Sequence, residues 1–218
     1  MARHFQKELE KIKKMILSLG AMVEERVRQS WKAIEAIDPD IARQIIRTDH
    51  EVDEMEVEIE EECLKIMALH QPVAIDLRFL IAVIKINNDL ERIADETVNI
   101  AERVATLDKH RTSKFFFDYE PMASTTEEML KLSLDALVNM DVDLAFKVVT
   151  MDDEVDEIHH QAYHLIRDEM KAHPDSLIFL MNYYLISRHL ERIADHATNV
   201  AEEVIYLIEG EIIRHASI

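Results

Sequence analysis

Apolar residues recur every three to four positions through most of this chain. Between residues 80 and 101 the stripe runs Leu80, Val83, Leu90, Ala94, Val98 and Ala101. Between 48 and 66 it runs Thr48, Val52, Met55, Ile59 and Ile66. This spacing puts the apolar side chains on one face of an α-helix and leaves the rest of the surface polar. The pattern predicts six helices, over residues 4–36, 39–69, 73–107, 121–140, 143–171 and 175–209. Punctuation agrees with it. Pro39, Pro72, Pro121 and Pro174 each stand just before or inside a predicted first turn, where the missing N–H has no intrahelical partner. Asp38 is a candidate N-cap for the second helix, and Ser124 and Thr125 for the fourth, with Glu127 and Glu128 three residues on. Gly210 suits the C-cap of the last helix.

The pattern also repeats. Residues 87–107, NNDLERIADETVNIAERVATL, align without a gap on 187–207, SRHLERIADHATNVAEEVIYL, with eleven identities. Upstream, TDHEVDE (48–54) matches MDDEVDE (151–157), and DPDIA (38–42) matches DVDLA (141–145). The chain therefore reads as a duplication of a three-helix unit. The expected fold is all-α: two tandem three-helix bundles related by a pseudo-two-fold axis. The units span residues 1–110 and 118–210, with a tail at 211–218. The FFFDY stretch (115–119) between them is expected to pack between the halves.

Composition sharpens this picture. Two glycines and four prolines in 218 residues leave too few turn residues for a β-rich fold. They also leave no glycine-rich loop to cradle a phosphate. A net charge of −19 argues against nucleic acid as a partner. The short basic start (Arg3, Lys7, Lys11, Lys13, Lys14) reads as a solvated helix face. Cys63 is the only cysteine, so no intrachain disulfide forms. The first residues have no apolar core of a signal peptide, and the longest apolar run, 177–186, is short for a bilayer. These features fit a cytoplasmic protein.

Candidate chemistry lies in pairs of acids four residues apart: Asp49 and Asp53, Glu91 and Asp95, Asp152 and Asp156, Glu191 and Asp195. Such pairs are neighbours on a helix and repel each other by about 0.2–0.5 kcal/mol. If the helices before and after residues 71–72 pack antiparallel, Asp49 and Asp53 lie level with Asp95 and Glu91. A turn near 173–174 does the same for Asp152 and Asp156 with Asp195 and Glu191. Helical phase puts all of them on the flank of the apolar stripe, but it leaves open whether the flanks face each other or face away. Facing, each set would crowd four carboxylates into a patch that needs cations. These oxygens are hard ligands for Mg, Ca, Mn or Fe. Glu102, Glu202, Asn99 and Asn199 lie nearby as further donors. Facing away, they are a solvated acidic surface, like the run at 51–62.

The histidines add less. Glu157 and His160 form one ExxH pair, where a ferritin-like di-iron bundle needs two. His189 and His196 flank the second acid pair, where the first unit has Asp89 and Glu96, and read as half-exposed surface residues. No nucleophile or GxSxG pattern is present.

The doubled LERIAD followed by Asn four residues later, with the four acid pairs at matched places, resembles the PhoU family across nearly the whole chain. The resemblance implies multinuclear metal clusters held by the paired E(D)xxxD motifs, with iron foremost and zinc, manganese or magnesium as alternatives. It implies a non-enzymatic negative regulator of phosphate uptake and phosphate-starvation signalling. Its partners would be the ATP-binding subunit of the phosphate transporter and a sensor histidine kinase. The chain would sit at the membrane periphery through them, and a homodimer is compatible. Two other readings stand beside this one: a carboxylate-metal enzyme, and a metal-free helical adaptor.

Overall fold

The computed structural model describes residues 2–111 and 113–210, with side chains from residue 4 onward. The expected tail at 211–218 lies outside the described residues. Every regular element among the described residues is helical, in the order α1 (Ala2–Ala36), α2 (Pro39–Thr48), α3 (His50–His70), α4 (Ile75–Lys109), α5 (Glu120–Asn139), α6 (Val142–Ala172), a 3₁₀ turn (Pro174–Ser176) and α7 (Leu177–Glu209). The first unit is α1 to α4 and the second α5 to α7. In the second unit α6 is one helix, whereas its counterpart in the first is the broken pair α2 and α3.

That break has a local cause. In a continuous helix the N–H of Val52 would bond the carbonyl of Thr48. Arg26 of α1 takes that carbonyl instead, with Nη2 at 2.8 Å, and also bonds the Thr48 hydroxyl. Val52 N–H then falls back on the carbonyl of Asp49, 2.8 Å away. Asp49 keeps helical dihedrals (φ −58°, ψ −41°), so the ladder is interrupted with the backbone still helical.

The expected caps Asp38 and Gly210 are both in place, and Asp141 is a third that the sequence reading did not name. The Asp38 side chain accepts from the N–H groups of Asp40 and Ile41, and Asp141 does the same for Asp143 and Leu144. Gly210 closes α7 at φ +80°, where a Cβ would meet the Arg78 guanidinium. The fifth helix departs from expectation. α5 begins at Glu120 with Pro121 in its first turn, so Ser124 and Thr125 lie inside the helix and cap nothing. Proline fixes the start earlier than the Ser-Thr signal suggested.

α4 and α7 form the most extensive helix pair and join the two units back to back. Both are buried on more than one side. In α4, Leu80, Val83, Ile86, Leu90, Ile93 and Ile100 are fully buried; in α7, Leu180, Ile186, Leu190, Ile193, Val200 and Val204 are nearly so. Each such side chain contributes roughly 1.5–3 kcal/mol relative to exposure. The aromatic strap settles on α7. Tyr119 Oη donates to the Tyr183 carbonyl at 2.7 Å, and Tyr183 Oη donates to the Phe117 carbonyl at 3.0 Å. Phe115 packs edge-on against the Tyr183 ring, while Phe116 stays exposed.

Candidate metal-binding site

In each unit the second helical rod meets the third with its acidic flank turned inward. In the first unit Asp49 feels the charges of Asp53 and Asp95, and Glu91 those of Asp95 and Asp53. In the second, Asp152 lies among Asp195 and Asp156, and Thr198 of α7 donates a 3.3 Å hydrogen bond to Asp152 of α6. The flanks therefore turn toward each other in both units, which brings the predicted acids of facing rods near enough to feel one another's charge.

Electrostatics records the crowding. Partial burial first, then neighbouring carboxylates, push Asp49, Glu91, Glu191 and Asp195 above the usual carboxylate range. Asp95 is also raised, chiefly by burial, although Arg92 opposes it. Asp152 is raised to about 6 by burial, Asp195 and Asp156.

The two clusters differ in their cations. Arg92 lies 3.5 Å from Glu91 and 3.6 Å from Asp95, inside its own cluster. Arg192, its counterpart, reaches across the seam to Glu96 at 2.8 Å.

The donor set can be tested against a cation. Glu91 Oε2 and Glu191 Oε2, at equivalent positions, are both shielded from solvent without a hydrogen-bond partner. A shielded carboxylate oxygen without a hydrogen bond at the same place in both units fits a hard cation, although in the first unit Arg92 Nε already stands 3.5 Å from it. As the side chains stand, no three His, Cys, Asp or Glu among the described residues are grouped to hold a metal. The outer members, Asp53, Asp156 and Asp195, are exposed. Of the further donors, Asn99 and Asn199 are turned away, donating to Glu96 and Asp89. Glu102 pairs with Arg103.

Sequence reasoning missed the seam. His189 Nδ1 lies 2.7 Å from Glu96, and His196 Nδ1 lies 2.9 Å from Asp89. Both histidines are mostly buried, not half-exposed surface residues as expected: 14% and 18% of their side chains remain accessible. Glu96 itself is 3% exposed. Burial alone would raise its carboxyl; hydrogen bonding to His189 and the charge of Arg192 outweigh that and hold it below the usual range. Lys85 reaches the buried Glu203 at 3.2 Å across the same seam. The signal was the exchange of acid for histidine at positions 89/189 and 96/196. A pseudo-two-fold axis carries each pair onto the other.

Two stretches of the chain, residues 16–104 and 120–204, match the model of the PhoU domain. The chain belongs to the PhoU family. Among its relatives, the phosphate-specific transport system accessory protein PhoU homolog of Aquifex aeolicus is 38% identical, over 97% of this chain and 96% of that one. The homolog of that name in Pseudomonas aeruginosa is 35% identical, over 99% of this chain and 89% of its own length. The crystal structure of PhoU from Pseudomonas aeruginosa superposes with a TM-score of 0.92, at 36% identity, covering 95% of this chain and all of that one. The phosphate transport system regulatory protein PhoU from Streptococcus pneumoniae gives a TM-score of 0.85 at 29% identity, covering 95% of this chain and 98% of that one. The chain is thus an all-helical PhoU protein with two domain repeats, in a family of accessory and regulatory proteins rather than enzymes. No helix among the described residues is long and apolar enough to cross a membrane.

Proposed function

We propose that this PhoU protein is a negative regulator of phosphate uptake and of phosphate-starvation signalling. It acts from the cytoplasm, docking on the ATP-binding subunit of a phosphate transporter and on a sensor histidine kinase. Asp49, Asp53, Glu91 and Asp95 hold one multinuclear cation cluster; Asp152, Asp156, Glu191 and Asp195 hold the other. Iron is the first candidate, ahead of zinc, manganese and magnesium. The single observation that carries this reading is the pair of inward-facing carboxylate clusters in a chain matched almost end to end by phosphate-transport accessory proteins.

Bound cations would supply positive charge that relieves the mutual repulsion of the four carboxylates. The protein's part is to hold the second and third rods in register, so that acids far apart in the chain, such as Asp49 and Asp95, stand level with one another. It also keeps Glu91 and Glu191 partly dehydrated, where their charge acts most strongly. With cations the face is less negative, and the partners it attracts change accordingly.

Two experiments test this. Elemental analysis of chain purified without chelator should find metal, and Asp95→Asn with Asp195→Asn should lose most of it while the helical spectrum is kept. In cells, deletion should leave phosphate-starvation transcripts on when phosphate is plentiful. Normal repression and normal uptake in a deletion strain with no second copy of the gene would overturn the regulatory reading. Metal content unchanged in the double variant would overturn the cluster assignment alone.

A further inference from the structure

The geometry points to a second kind of metal site on α6: His160 and His164 form a two-imidazole chelate for a borderline transition cation, Cu(II) or Ni(II) before Zn(II).

The two residues are four apart on one helix and so stand one above the other. Their Nε2 atoms converge to 3.0 Å, and both side chains lie on the exposed face. Among the described residues, each Nε2 takes the other as its hydrogen-bond partner. A neutral pair can hold this contact only if one ring carries its proton on Nε2 and donates to the other. A cation replaces that hydrogen bond when the donor ring shifts its proton to Nδ1, leaving two nitrogen lone pairs 3.0 Å apart within reach of one ion. A metal about 2.1 Å from each nitrogen would subtend roughly 90°. That is the cis angle of tetragonal copper and nickel, and affinity follows the same order, copper above nickel and zinc. The remaining coordination positions open to solvent.

The duplication shows that this face is particular to one unit. Aligning 151–157 on 48–54 and continuing, His160 stands where the first unit has Val57, and His164 where it has Glu61. The first unit presents a valine and a glutamate there and the second a pair of imidazoles, flanked by Tyr163, which packs on the His164 ring. The site is separate from the carboxylate clusters, which take hard cations. Thiolate does not compete: Cys63 is buried, and burial pushes its thiol up to about 12.

The test uses the untagged full chain, stripped of metal, titrated separately with Cu(II), Ni(II) and Zn(II) salts. One equivalent of Cu(II) should bind with a paramagnetic-resonance signature of two imidazole nitrogens. His160→Gln and His164→Gln should each weaken that binding by about tenfold or more and remove the two-nitrogen signature. Both residues are exposed, so the helical spectrum should not change. His70→Gln is the imidazole control, since His4 and His70 already share Glu8. That variant, and Asp95→Asn with Asp195→Asn, should leave the two-nitrogen signal intact. The proposal is overturned if the His160→Gln/His164→Gln double variant binds Cu(II) as the wild type does, or if the signal follows His70 or the aspartates.

Discussion

Glu96 and His189 meet across the seam between the two units, the carboxylate Oε2 2.7 Å from the imidazole Nδ1, with Glu96 only 3% exposed. Arg192 holds the other oxygen of the same carboxylate at 2.8 Å. One acid of α4 thus anchors an imidazole and a guanidinium of α7 in a nearly dry place. Such a group is costly to bury and costly to break.

Glu96→Gln should therefore destabilise the protein by about 2–3 kcal/mol at pH 7, because it strands His189 and Arg192 against a neutral amide. The folded carboxyl lies below its ordinary value, so its stabilisation is present above that value and is lost as pH falls through the folded one. Chemical denaturation of wild type and variant should converge under strongly acid conditions. A difference that persists undiminished there would contradict the assignment.

Asp152 behaves in the opposite sense. Its folded pKa, about 6, lies above its ordinary 3.8, so the protonated form favours folding. That contribution is complete below the ordinary value and is lost as pH rises through about 6. In metal-free protein Asp152→Asn should be more stable than wild type at pH 7, on the order of 1 kcal/mol after allowing for solvent screening, with the gap closing towards pH 4. With cation present the sign should reverse, since the substitution then removes a ligand. Melting temperatures with and without metal at both pH values check all four corners.

Arg26→Ala tests the break at Asp49. Arg26 is 8% exposed, and its guanidinium holds the Thr48 carbonyl, its hydroxyl and, at 3.2 Å, Glu51. Its loss should cost about 2 kcal/mol and weaken cation binding at the first cluster, where Asp49 follows Thr48 directly. The second cluster, on continuous α6, should be unaffected. An equal loss at both would show that Arg26 acts on global stability alone.

Much of this was legible beforehand because it follows from periodicity. The 3.6-residue stripes of α3 and α4, the Asp38 cap and the Gly210 terminus are local signals, and the structure places all of them. The level of Asp49 against Asp95 followed from counting back from a hairpin turn. What periodicity lacks is handedness: Asp49 and Asp95 sit on the stripe's flank whichever way the bundle winds, so only the structure turns them inward. The break before Asp49 was hidden for a related reason. Its cause, Arg26, is 22 residues away on another helix, and nothing in Thr48 announces it. The Ser124 and Thr125 cap failed because Pro121 had already opened the helix.

A tyrosine completes the set. Tyr183 ties the strap to α7 twice, by its hydroxyl to Phe117 and by its carbonyl to Tyr119. Tyr183→Phe removes only the first and should cost about 1 kcal/mol, with faster amide exchange confined to residues 115–119. Uniformly faster exchange along α7 would mean that the hydroxyl supports the helix rather than the strap.

The crossed pairs, Glu96 with His189 and Asp89 with His196, make the halves non-interchangeable. Two copies of the first unit would bring Asp89 against Glu96 at both ends of the seam, acid facing acid. Two copies of the second would bring His189 against His196. Only one of each gives complementary neighbours. An ancestral self-pairing module that acquired these exchanges would have surrendered the ability to associate with its own kind, and a chain shortened to either half would carry an interface that rejects itself.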